Sequence, residues 1–88
     1  MYCFIWDNQN SITKYEQALI YTRAQGDHSR TSTFLRSIGL NYQLLGLYGL
    51  AIENYQEALD ALALGQTDLV REAALYNSMG NLYRNTQN

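Results

Sequence analysis

The sequence predicts an all-α protein of about four antiparallel helices, built as a repeated helical hairpin. Three observations carry that expectation. Leu35, Ile38, Gly39 and Tyr42 fall at i, i+3, i+4 and i+7, one face of a helix, and beyond a short break Ala51, Tyr55 and Ala58 fall at i, i+4 and i+7 of a second. That stretch recurs. Forty residues earlier, Tyr2, Tyr15 and Ala18 stand where it has Tyr42, Tyr55 and Ala58, and forty-one residues later Tyr76, Met79, Gly80 and Tyr83 stand where it has Leu35, Ile38, Gly39 and Tyr42. The 88 residues are 47% hydrophobic, which suits one globular domain with a modest core.

Taken in order, the chain opens with MYCFIW, which matches Asn41–Gly46 in the repeat register and reads as the last turns of a helix. The run has no basic flank and is cut short by Asp7, so it is no signal peptide. No stretch is long and apolar enough to span a membrane, and a cytoplasmic location is expected. Asp7, Asn8 and Asn10 are turn and cap formers, predicting a helix start near Asn8–Asn10 and a helix through Ile12, Tyr15, Ala18, Leu19 and Thr22 that Gly26 closes. Asp27 or Ser29 then caps a helix near Arg30–Leu45, and Gly46–Gly49 makes the turn of the hairpin. The partner helix runs from about Leu50 to Leu64 and ends at Gly65. Thr67 or Asp68 caps a last helix reaching about Arg84, and the polar tail NTQN is expected to fray.

Glycine inside a helix costs about 1 kcal/mol relative to alanine, so Gly39 and Gly80 call for a compensating gain, and close helix approach supplies one. Ala51 and Ala58, with Ser11 and Ala18 in the earlier copy, keep the facing ridge shallow. Tyr42, Tyr55, Tyr76 and Tyr83 are expected to fill the wider gaps with their rings. The repeat divides the chain into a half repeat over 1–26, a full repeat over 27–65 and a half repeat over 66–88. Phe4, Ile5 and Trp6 at one end and Leu75, Met79 and Leu82 at the other read as faces made for absent neighbours. They suggest a fragment of a longer array or a unit that associates with itself.

Composition argues against most chemistry. Eight acidic and six basic residues are dispersed along the chain, with no nucleic-acid footprint. Cys3 is the only cysteine, which excludes an internal disulfide and a cysteine-based zinc site. His28 is the only histidine; beside Asp27 and Ser29 it reads as a solvated loop residue, since sequence neighbours seldom satisfy triad geometry. Glu53, Glu57 and Asp60 read as an exposed acidic stripe. Gly46-Leu47-Tyr48-Gly49 lacks the frame of a phosphate-binding loop. We therefore expect no enzyme, no metal and no cofactor.

Leu35, Ile38, Gly39, Tyr42, Ala51 and Tyr55 resemble the signature of the tetratricopeptide repeat (TPR), W-x2-L-G-x2-Y…A-x3-F…P, with Leu, Ile and Tyr in place of Trp, Leu and Phe. Ala63 stands where the closing proline would be, and the period of about 40 exceeds the usual 34. The longer period resembles the repeats of kinesin light chains and of the Leu-Gly-Asn adaptors, whose tripeptide nearly recurs as Met79-Gly80-Asn81. The resemblance implies a solenoid of helical hairpins in which a flank of each first helix lines a concave groove that holds a partner peptide. Arg36, Leu40 and Gln43 lie about 100° round the axis from the motif face, and the 41-residue shift adds Asn77, Asn81 and Arg84. Asparagine and glutamine suit the backbone of an extended peptide and arginine suits carboxylates, so a protein or peptide partner, acidic in character, is expected. The alternative is a purely architectural or self-associating segment of a larger signalling protein.

Overall fold

Glycine placement decides where the helices break. The computed structural model describes residues 4–66 and 68–86, with side chains for 7–66 and 68–84. Four helices follow one another, α1 (Phe4–Gln25), α2 (His28–Leu44), α3 (Tyr48–Leu64) and α4 (Leu69–Thr86), with no strand among the described residues. Gly26 and Gly46 take φ of +70° and +81°, left-handed values that cost a residue with a Cβ about 1–2 kcal/mol. Each completes the same C-terminal motif. At the end of α2 the N–H of Leu47 donates to the Tyr42 carbonyl at 2.9 Å and that of Gly46 to Gln43 at 3.0 Å. At the end of α1 the N–H of Asp27 donates to Thr22 at 2.9 Å and that of Gly26 to Arg23 at 3.2 Å. Asp27 then caps α2, accepting from the Arg30 N–H at 3.1 Å.

The expected break at Asp7–Asn10 does not form. α1 is a single 22-residue helix running through it. In the repeat register the residue matching Gly46 is Trp6, which cannot enter the left-handed region cheaply, so the chain stays helical through Asp7, Asn8 and Asn10. Asp7 instead sits in the first turn of α1, where the helix dipole favours a carboxylate. His28 is also not a loop residue. It opens α2 half-buried, and its Cβ lies 3.1 Å from where a Cβ on Gly65 would be.

Packing centres on α2, which meets all three other helices, while α3 also meets α4. The dimensions are 41 × 29 × 18 Å; the shortest is about two helix diameters. Going round α2, Phe34 meets the Tyr15 ring of α1 at 5.8 Å between centroids, Gly39 meets α3, and Arg36 and Thr33 meet α4. The core joins Ile12 and Leu19, Leu35 and Ile38, Ala51, Tyr55, Ala58, Ala61 and Leu62, and Leu75 and Leu82. A Cβ on Gly39 would stand 2.7 Å from Cε1 of Tyr55 and 3.2 Å from the Ala51 carbonyl oxygen, so only glycine admits this approach without displacement. Between α1 and α2 a buried polar pair is satisfied internally: the Thr31 hydroxyl donates to Thr22 Oγ1 at 3.0 Å, and Thr22 Oγ1 donates to the Leu19 carbonyl at 3.2 Å.

At the C-terminal end the expected burial is reversed. Leu75 and Leu82, read as an open face, are 1% and 0% exposed, whereas Tyr76 and Tyr83, read as gap fillers, are 63% and 46% exposed. Gly80 has nothing within 4 Å of a built Cβ. Burial follows the neighbour a face meets: Leu75 and Leu82 join the core, and of the four motif residues of α4 Met79 packs against it. The expectations for Cys3, for the side chains of Phe4, Ile5 and Trp6, for Thr67 and for the tail side chains lie outside the described residues.

Candidate functional site

One of the expected recognition residues, Arg36, lies in the seam between α2 and α4. Arg36, half-buried, donates from Nε to Ser78 Oγ at 3.2 Å, and Arg71 donates from Nε to Thr33 Oγ1 at 2.9 Å. These bonds tie the two helices side by side. Arg71 is itself held at 2.6 Å by Asp68, which caps α4 by accepting from the Arg71 N–H at 3.0 Å. The backbone donor, followed by the guanidinium bond, keeps the Asp68 carboxyl below its ordinary range.

The six expected residues divide by role. Leu40, Asn77, Asn81 and Arg84 are exposed, and Arg84 donates to Asn81 Oδ1 at 2.6 Å. Gln43 is half-buried and its side-chain oxygen accepts from the Tyr55 hydroxyl at 2.9 Å, leaving its amide N–H groups as donors. Burial of Tyr55 holds its phenol above the ordinary value, an effect partly offset by the Arg36 charge. Arg36 and Gln43 are thus half structural, whereas Leu40, Asn77 and Asn81 present their side chains outward.

Sequence reasoning missed four participants, Arg71 among them. Ser78 and Thr33 form the seam, and small hydroxyl residues inside helices give no pattern that marks them as cross-helix partners. Leu44, exposed one turn beyond Leu40 on the same helix face, extends an apolar strip along α2; its spacing from Leu40 was the available signal.

α3 carries Glu53, Glu57 and Asp60, all exposed. Glu57 pairs with Arg23 of α1 at 3.3 Å between exposed side chains, a contact worth little in water. A concavity of about 280 Å³ opens there, lined by Arg23, His28, Thr31, Leu35, Glu57 and Asp60 among others. Among the described residues no group of three histidine, cysteine or acidic side chains stands close enough to hold a metal ion, and no helix is long and apolar enough to cross a membrane. No family model, no curated protein and no solved structure matches this chain.

Proposed function

We propose that the chain is a TPR-like protein-interaction module whose α2 and α4 line a groove for an extended, acidic peptide segment of a partner protein. The observation that supports the reading is the side-by-side seating of α2 and α4, tied by Arg36–Ser78 and Arg71–Thr33. It leaves the repeat-related Leu40 and Asn81 exposed. In this reading Leu40 and Leu44 provide an apolar strip, Asn77 and Asn81 bond the peptide backbone, and Arg84 meets a carboxylate. Arg36 contributes charge from within the seam. The cytoplasmic assignment and the solenoid geometry belong to the same proposal.

A peptide-array screen followed by chemical-shift mapping tests it. Asn81→Ala should weaken binding by about 1–3 kcal/mol, because it strands a peptide backbone group, with little effect on melting. Arg84→Ala should flatten the salt dependence, since exposed charges are screened over roughly 10 Å at 0.1 M salt. Glu53→Ala, at an exposed position of α3, is the control. Shifts centred on Glu53, Glu57 and Asp60, with Asn77 and Asn81 silent, would reject the groove.

A further inference from the structure

α4 repeats the face with which α2 receives α3. The 41-residue shift carries Ser32, Leu35, Gly39 and Tyr42 of α2 onto Ala73, Tyr76, Gly80 and Tyr83 of α4. On α2 this face is covered: Ser32, Leu35 and Gly39 are buried, and the Tyr55 ring occupies the notch at Gly39. On α4 the same notch is open, with nothing within 4 Å of a Cβ at Gly80. Leu69, Ala73, Tyr76, Gly80 and Tyr83 are all exposed. They form one stripe at i, i+4, i+7, i+11 and i+14, about 21 Å long at 1.5 Å per residue. An exposed apolar stripe of this kind marks an interaction surface.

The helix that fits must offer what α3 offers α2, a tyrosine flanked by small residues on one ridge: Ala51, Tyr55 and Ala58. α1 carries that ridge as Ser11, Tyr15 and Ala18, displaced by forty residues. The three α3 residues are wholly buried, whereas Ser11, Tyr15 and Ala18 are each only half-buried. α1 spends Ile12, Leu19 and Thr22 on the core and on α2, and one side of the Tyr15 ring meets Phe34 of α2 at 5.8 Å between centroids, leaving the rest of the Ser11–Tyr15–Ala18 ridge uncovered. So α4 lacks an α3-type helix, and α1 is an α3-type helix whose ridge is only partly covered.

We propose that α4 of one copy receives α1 of a second copy, antiparallel as α2 receives α3, with Tyr15 of the second copy seated over Gly80 of the first. The contact continues the packing already present between α2 and α3. Its two surfaces are different and sit on helices that do not pack against each other within one chain, so the association is head-to-tail and leaves a free surface at each end. It uses the motif stripe of α4, which Asn77 and Arg84 of the groove border at three and four residues from Gly80.

Sedimentation of the intact chain over a wide concentration range tests the proposal. The average mass should rise continuously past that of a dimer. Gly80→Leu fills the notch where the single chain has open space, so it should keep its helical spectrum and melting while losing the mass increase. Ala18→Arg, or Ser11→Arg should the first disturb α1, blocks the other surface. Each blocked variant retains the surface the other lacks, so a mixture of G80L with the α1 variant should give a one-to-one pair and nothing larger. A wild-type chain that stays monomeric, one that stops at a symmetric dimer, or a G80L variant that assembles like wild type would overturn it.

Discussion

Alanine placed at Gly39 and, separately, at Gly80 applies one chemical change to two positions related by the repeat. In both, replacing glycine in a helix interior gains about 1 kcal/mol of helix propensity. At Gly39 the new methyl would stand 2.7 and 2.8 Å from Cε1 and Cδ1 of Tyr55 and 3.2 Å from the Ala51 carbonyl oxygen. That ring is 0% exposed and its hydroxyl is bonded to Gln43 at 2.9 Å, so it cannot swing aside without loss, and the carbonyl cannot retreat without moving α3. Overpacking of this kind costs about 1–3 kcal/mol, leaving Gly39→Ala neutral to about 2 kcal/mol destabilised. At Gly80 the methyl meets nothing within 4 Å, and the gain of about 1 kcal/mol stands alone. The propensity gain cancels between the two variants, so their difference is the overpacking cost. For a domain of this size each kcal/mol moves the melting temperature by about 4–8 °C. Circular-dichroism melts at low protein concentration measure it. Equal upward shifts for both variants would refute the close-approach account of Gly39. By the same reasoning Gly39→Leu should be far more damaging than Leu47→Ala, which trims an exposed side chain.

The Thr22–Thr31 pair should behave non-additively. Thr22→Val leaves the buried Thr31 hydroxyl without its acceptor and should cost about 1–3 kcal/mol, while adding Thr31→Val should restore most of it; independent effects in a double-mutant cycle would contradict the bond. The lowered carboxyl of Asp68 stabilises α4 fully above the ordinary aspartate range, and that contribution is lost as pH falls through the lowered value. Protection of the Arg71 amide, taken relative to its intrinsic exchange rate at each pH, should therefore fall in acid, and an Asp68→Asn variant should lack that acid limb. Tyr55 is displaced upward from 10.0, so its contribution is intact below pH 10.0 and is lost as pH rises through the raised value. Tyr55→Phe should make alkaline unfolding less steep, and superimposable alkaline transitions would count against the buried phenol.

Local chemistry made much of this fold legible in the sequence. Gly26 and Gly46 end helices because the left-handed backbone they adopt is a property of single residues, and Asp27 and Asp68 cap because an acid beside a free N–H needs no distant partner. The close approach at Gly39 was legible as well, since a glycine facing Ala51 and Ala58 at matched spacing leaves room for a ring. What the tertiary structure decided is which faces are covered. The repeat equates Tyr76 with Leu35 and Gly80 with Gly39, yet the first pair differs in burial and the second in contact, because a motif face is buried only when a helix lies against it. Leu75 and Leu82 are buried for the complementary reason, being the ridge that α4 turns towards its neighbours. The break expected at Asp7–Asn10 failed because a turn needs its glycine as well as its cap. Arg36 and Gln43 gained structural partners that lie 42 and 12 residues away in Ser78 and Tyr55, and such pairings arise from the packing of helices, which no spacing within a single helix encodes.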